Sequence, residues 1–277
     1  MHFVVCLKQV PDSSEVRIDP ETNTLMREGV PSIINPYDAH ALEEAIRLKE
    51  KVGGKVTVIT MGPDQAKEAL RKAMSFGADR AILLSDRAFA GADSLATAYV
   101  LTRAIQKIME TEPVDLVLAG KEAIDGDTAQ TGPGIASRLS FTQLTYVIKV
   151  ASLDKDSITV HRKLETGREV VQAKLPALLT VEKELNEIRY ATLPNMMKAA
   201  SYEPEGWTSQ SLDFDPAQLG LKGSPTSVVR IFAPPARTGG DKIDGTTDPQ
   251  GAAATVVQKI FEQNIIQVSP GAKGGRR

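Results

Sequence analysis

The polar run Gly120-Lys121-Glu122-Ala123-Ile124-Asp125-Gly126-Asp127-Thr128-Ala129-Gln130-Thr131, closing on Gly132-Pro133-Gly134, is the segment richest in chemistry. It follows the apolar run Leu116 to Ala119, so it reads as a loop from a strand end to a helix start. Main-chain N–H groups there, with the hydroxyls of Thr128 and Thr131, suit phosphate oxygens. Glycines at 126, 132 and 134 permit close approach to the backbone. A plainer reading is equally open, in which Asp127 or Thr128 caps the following helix. This is not a Walker loop, because Gly120-Lys121 lacks the glycine spacing and the Ser or Thr after lysine.

Three more segments share the setting. Asn35-Pro36-Tyr37-Asp38 precedes a helical pattern from Ala39, where Asn or Asp is first of all a helix cap. Thr60-Met61-Gly62-Pro63 ends another apolar run, and Gly62 leaves the main chain open to a ligand. Cys6-Leu7-Lys8 ends the first run. All four sit at carboxyl ends of strands expected to be parallel, so they converge on one edge of one sheet, as a nucleotide site would require. No Ser/His/Asp or Cys/His set and no isolated carboxylate pair is present, so no catalytic residue is assigned. His2, His40 and His161 lie far apart and Cys6 is the single cysteine, which leaves no metal-ligand spacing and no disulfide. Cys6 is expected to be a small core residue, and Met196-Met197 suits core or docking surface alike.

The elements that must position these residues follow from periodicity. Phe3 to Leu7, Val56 to Thr60, Ala81 to Leu84 and Leu116 to Ala119 are continuously apolar, as buried parallel strands are. Amphipathic stretches separate them at Ala39 to Lys51, Gln65 to Phe76, Leu95 to Met109 and Ala129 to Leu139. The pattern specifies an α/β fold: a doubly wound, mostly parallel, Rossmann-like sheet with helices on both faces. Arg17 to Arg27 interrupts it with a β-hairpin around Asp-Pro-Glu-Thr-Asn. Val147 to Leu153, Ser157 to Leu164 and Glu169 to Ala173 form a β-meander extension, and Pro176 to Val181 adds an apolar strand. The expected organisation is an α/β domain over 1–185 with its meander at 146–181, a loop over 186–200, and an extended C-terminal arm over 201–277. That arm is rich in Pro and Gly, with one helix at Ala252 to Gln263. Its apolar islands, Trp207 and Val228 to Phe232, argue that it lies along another surface.

At 277 residues the chain can bury about 75% of its unfolded surface, so it needs no staple to fold. A net charge of -2 and a pI near 6.0 argue against nucleic acid as the main partner. No apolar stretch approaches the ~20 residues of a membrane span. The chain opens on a strand without the cationic region of a signal peptide, so a cytoplasmic protein is expected.

Val4 to Pro11, Asn35-Pro36-Tyr37-Asp38, Met61-Gly62-Pro63 and the Gly120–Thr131 loop together resemble the nucleotide-binding segments of electron-transfer flavoprotein beta subunits. Arg162 through Thr180, with Glu165, Gly167, Glu169 and Pro176, is similar to that family's signature segment, although Thr166 replaces a usual small or acidic residue. Asn186 through Lys198 resembles its recognition loop, which docks on a client dehydrogenase. The resemblance implies a heterodimer with an alpha subunit around which the C-terminal arm wraps. It implies that Cys6, Asn35, Pro36, Tyr37, Asp38, Met61 and Gly120 through Thr131 line the adenine nucleotide, and that Leu193, Pro194 and Met196 dock on the partner.

Two chemistries occur in that family. In the single-flavin type the beta subunit holds AMP, electrons come from acyl-CoA dehydrogenases, and the loop reads Ala-Ile-Asp-Asp-Asp-Cys-Asn-Gln-Thr-Gly. Here Ala123 to Gly132 reads Ala-Ile-Asp-Gly-Asp-Thr-Ala-Gln-Thr-Gly, which resembles the electron-bifurcating type that holds a second FAD and oxidises NADH. Phe89 to Thr97 also resembles that group, and Gly62, Pro63, Phe89, Asp93 and Thr97 are the candidate NADH residues. The resemblance then implies that one electron goes to a low-potential acceptor, ferredoxin or flavodoxin. The other goes by way of the alpha-subunit flavin to a client flavin dehydrogenase of acyl-CoA or hydroxy-acid type. A universal-stress-type regulatory protein leaves 186–277 without a purpose. An ordinary NAD dehydrogenase lacks its Gly-x-Gly-x-x-Gly after the first strand.

Overall fold

The four apolar runs become the middle of a nine-stranded sheet. The computed structural model describes residues 1–12, 17–18, 25–26, 31–229, 239–263 and 265. The chain runs through β1 (His2–Cys6), β2 (Gln9–Pro11), β3 (Arg17–Ile18), β4 (Leu25–Met26) and β5 (Ser32–Ile34) to α1 (Pro36–Val52). β6 (Lys55–Met61), α2 (Lys67–Phe76), β7 (Arg80–Leu84), α3 (Ser94–Met109), β8 (Leu116–Gly120) and α4 (Thr131–Leu139) continue the alternation. Then come β9 (Thr142–Leu153), β10 (Ser157–Leu164), β11 (Gly167–Lys174), β12 (Ala177–Val181), α5 (Leu193–Ala200) and β13 (Glu205–Trp207). A second unit, Ala233–Arg277, contains α6 (Pro249–Glu262), whose first turn is capped by the Asp248 carboxylate accepting from the Gly251 N–H at 2.9 Å.

The sheet order is β11-β10-β9-β12-β8-β1-β6-β7-β13. The ladders from β9 through β13 are parallel, while β10 and β11 run antiparallel as the meander. From β1 the chain builds outward through β6 and β7, then returns to β8 on the other side. The β1/β8 pair is therefore the topological switch point, and a crevice opens beyond its carboxyl ends. Side chains of β1 alternate between two cores, as a strand's twofold period dictates. Phe3 and Val5 join Leu42, Ile46 and Leu70 beneath α1 and α2, whereas Val4 joins Val100, Ile105 and Ile135 beneath α3 and α4. Among the described residues no helix is long and apolar enough to cross a membrane.

Several expectations need correction. β9 starts at Thr142 rather than Val147, and Tyr146 at φ 56° interrupts it. Its first half pairs parallel with β12 and its second half antiparallel with β10, so no single alternation runs through it. β3 and β4 do pair as an antiparallel hairpin, while the turn between them lies outside the described residues. The stretch 186–200 is not all loop, because 193–200 is α5. Thr192 caps it by accepting from the Asn195 N–H, and Pro194 sits in the first turn where a missing N–H costs nothing.

The largest correction concerns the C-terminal segment. Glu205–Trp207 adds a parallel edge strand to β7. Leu212 and Leu219 are buried, and the Phe214 ring packs edge-on against Phe89 and Tyr99 at 5.4 and 6.0 Å between centroids. Trp207, Leu212, Phe214 and Leu219 thus pack into this chain's own core. The island at Val228 and Val229 is exposed, and residues 230–232 lie outside the described residues.

Candidate functional site

At the switch point a cavity of about 400 Å³ opens between the ends of β1, β6 and β8 and the first turns of α3 and α4. Cys6 and Lys8 come from β1 and its exit, Met61 from β6, and Gly120 from β8. Most of the following loop supplies one wall: Lys121, Glu122, Ala123, Gly126, Asp127, Thr128, Ala129, Gln130 and Thr131.

Asp38 holds the crevice together from α1. Its two carboxylate oxygens accept the main-chain N–H of Lys8 at 2.8 Å and of Gly120 at 2.9 Å, so one side chain ties the ends of β1 and β8. Burial pushes its carboxyl up to about 7, against the opposing pull of those two N–H groups, the Asn35 side chain and the Lys8 charge. Gly120 must be glycine: a Cβ there would stand 2.4 Å from the Asp38 carboxylate and 2.6 Å from the Tyr37 Cβ.

Asn35, fully buried, occupies the cap position of α1 but makes no side-chain cap. Its carboxamide instead donates to the Glu122 carbonyl at 2.8 Å and accepts from the Ile124 N–H at 3.2 Å. The cap reading of Asn35 is therefore replaced by a staple on the Gly120–Thr131 loop. Asn35, Pro36, Tyr37, Ile124 and Asp125 stand behind the cavity wall rather than in it. The Lys8 ammonium grips both Asp125 oxygens at 2.7 Å and neutralises that carboxylate. Lys121 pairs with Glu122 at 3.0 Å and Glu182 at 3.6 Å and lies over the Tyr37 ring at 5.2 Å. The hydrogen bond to Glu122, strengthened by the Glu182 charge, raises its ammonium above the usual range.

The loop's cap reading fails as well. α4 starts at Thr131 with Gln130 at the cap position and no side-chain cap, so neither Asp127 nor Thr128 caps it. Its first turn keeps free donors facing the cavity. Asp127 and Ala129 hold φ of 47° and 52°, a left-handed backbone that non-glycine residues adopt at some cost. The glycines divide by role. Gly132 and Gly134 make room for Thr180 and Ala98, while a Cβ on Gly126 would meet nothing within 4 Å.

Of the suggested NADH set, Asp93 and Thr97 line this same cavity. Phe89 does not, being buried against Phe214 in the core. Gly62 and Pro63 lie beyond the Met61 wall, Pro63 exposed. Cys6 is both core residue and wall, and burial, with the nearby Asp38 charge, pushes its thiol up. Sequence reasoning took Ser94 only as part of the Phe89–Thr97 segment and passed over Ile135 and Thr226; all three also line the cavity. Ile135 stands one turn after Thr131 and was legible from helical spacing. Thr226 carries no local signal.

The docking set lies away from the cavity. Leu193 is 69% exposed and Met196 51%, Pro194 is exposed, and Tyr190 at 97% is the most exposed aromatic among the described residues. Their segment is fastened to α1, as Arg189 reaches Glu43 at 2.9 Å and Glu50 at 2.5 Å, and Asn186 reaches Glu44 at 2.9 Å. Among the described residues no group of three or more His, Cys, Asp or Glu could hold a metal ion.

Comparison with known proteins adds to this geometry. The family model for the electron transfer flavoprotein domain matches residues 22–212. The chain is 51% identical over 269 residues to Protein FixA of Azotobacter vinelandii, covering 95% of this chain and 96% of that one. It is 51% identical over 266 residues to the electron transfer flavoprotein subunit beta of Clostridium acetobutylicum, covering 96% and 100%. It is 50% identical over 267 residues to the caffeyl-CoA reductase-Etf complex subunit CarD of Acetobacterium woodii, covering 96% and 100%.

Proposed function

The chain belongs to the electron transfer flavoprotein family, as a beta subunit, and on that premise we propose that it binds FAD at the β1/β8 crevice and works in electron bifurcation. In this reading it pairs with an alpha subunit and draws electrons from NADH. It divides them between a low-potential acceptor, ferredoxin or flavodoxin, and a client flavin dehydrogenase. A relative named as a subunit of a caffeyl-CoA reductase-Etf complex supports a client acting on CoA esters.

Gly126 is the observation that carries the proposal. It lines the cavity, its Cβ would meet no protein atom, and its backbone is not left-handed. Nothing in the protein's own packing requires glycine there, so a larger side chain at 126 would be limited only by what occupies the cavity. A carboxylate at that point would stand beside phosphate oxygens at a cost of about 1–4 kcal/mol at intermediate dielectric. With Asp125 held by Lys8 and the α4 start uncapped, a diphosphate meets N–H donors and the hydroxyls of Thr128 and Thr131. The residues present therefore fit an adenine dinucleotide.

When bound, the flavin supplies the redox chemistry, including the exchange between two-electron and one-electron steps. Asn35 and Asp38 hold the loop and strand ends in place, and Met61 and the first turns of α3 wall the crevice.

The test is the composition of the purified heterodimer and its response to NADH. Two FAD per heterodimer, negligible AMP, and flavin bleaching on anaerobic addition of NADH are expected. Hydride transfer needs the nicotinamide on a flavin with reacting atoms ~3–3.5 Å apart. One FAD and one AMP, with no response to NADH, would return the chain to the single-flavin carrier role.

A further inference from the structure

The segment after β13 comes back to the nucleotide cavity. Leu219 is buried under α3, and the chain then crosses the turn at 88–93 before Thr226 reaches the cavity wall. The two segments interlock closely. Gly91, at φ 71°, lies where a Cβ would stand 2.6 Å from the Leu221 side chain, and Gly220, at φ 51°, where one would stand 2.5 Å from the Ala88 carbonyl oxygen. Only glycine suits both the space and the backbone at these two positions.

Asp93 joins the segments. One carboxylate oxygen caps α3 by accepting from the Leu95 and Ala96 N–H groups at 3.0 and 3.1 Å. The other accepts from the Thr226 N–H at 3.2 Å and the Thr226 hydroxyl at 2.8 Å. The Asp93 N–H donates to the Ser224 hydroxyl oxygen at 2.8 Å, and that hydroxyl donates to the Gly220 carbonyl at 2.7 Å. Four protein donors thus occupy the Asp93 carboxylate, which leaves it poorly placed to bind a ribose hydroxyl. Thr226 is the better placed group. Its proton goes to Asp93, so its oxygen remains an acceptor at the cavity wall for a sugar hydroxyl or an adenine amino group.

We propose that residues 219–226 form a strap that is one wall of the nucleotide cavity, with Asp93 as the positioning residue that latches Thr226 against the ligand. Nucleotide retention then depends on a segment that begins 88 residues beyond Thr131, the end of the Gly120–Thr131 loop. The inference rests on the nucleotide reading above but not on whether the nucleotide is FAD or AMP.

The test uses the intact heterodimer carrying Asp93→Asn or Thr226→Val, with FAD and AMP as probes. Asparagine retains one oxygen to cap α3 but turns an amide toward the Thr226 N–H. Valine keeps the threonine shape without the hydroxyl. Release of the bound nucleotide should quicken about tenfold in both, the scale of one charge-assisted hydrogen bond. Hydrogen exchange at 219–226 should rise while the melting temperature of the nucleotide-free heterodimer stays constant. Unchanged release from Thr226→Val with faster exchange in the strap would overturn the strap's role and leave the nucleotide reading standing. An unsubstituted heterodimer that binds neither FAD nor AMP would overturn both. If Asp93→Asn fails to fold, Thr226→Val decides alone.

Discussion

The side chain of Asn35 holds the main chain of Glu122, 87 residues away, through a 2.8 Å hydrogen bond from its amide to the Glu122 carbonyl. With the return bond from the Ile124 N–H, this fixes the start of the Gly120–Thr131 loop against the first turn of α1. Asn35→Ala strands both backbone groups in a buried setting, at about 1–3 kcal/mol. A matching fall in unfolding free energy is expected in urea melts, together with weaker FAD retention. Asn35→Asp keeps only the acceptor and should lose nucleotide as well.

Asp38 makes a prediction about pH. Its carboxyl is pushed up to about 7 in the fold from the ordinary 3.8, so the folded chain holds that proton more tightly than the unfolded chain. Its contribution to stability is complete below pH 3.8 and is lost as pH rises through 7. Urea midpoints measured from pH 4 to 8 should therefore show a downward component over that window. Asp38→Asn, which cannot titrate, should remove that component. An identical profile in the two proteins would mean that Asp38 is ionised throughout.

Glu43 is buried with its side chain 2% exposed, and it is paired to Arg189 and Arg47. Arg189→Gln leaves it with Arg47 and the residue-189 main-chain N–H. Breaking a buried pair is expensive, but Arg189 is partly exposed, so about 1–3 kcal/mol of stability should be lost. Hydrogen exchange should rise first at 186–192, the stretch that Arg189 fastens to α1.

Leu193 tests the docking reading. At 69% exposure its truncation should change stability by less than about 0.5 kcal/mol. As an anchor on a client it should matter by about 2 kcal/mol or more. Leu193→Ala is thus expected to slow electron transfer to the client with unchanged flavin content and melting temperature. Unaltered transfer would remove the helix α5 face from the docking surface.

What the residues alone determined was local. Continuous apolar runs at Phe3, Val56, Ala81 and Leu116 and the helical periods between them specify buried parallel strands with covering helices. A strand end followed by a Gly-rich polar loop marks where a ligand is expected, and the Ala123–Gly132 motif points to the family. These signals lie in short windows, because helix and strand periods and turn chemistry act between near neighbours. The tertiary structure decided which residues share a site. Asn35 looks like a helix cap in sequence and becomes a staple on a loop 87 residues away. Phe89 looks like a ligand residue and is core, since Phe214 covers it. Thr226 sits in a Pro- and Gly-rich segment with no periodicity, yet it reaches the cavity wall because Asp93 holds it there. Such partners are set by loop closure and shape complementarity over long separations, and no local pattern records them.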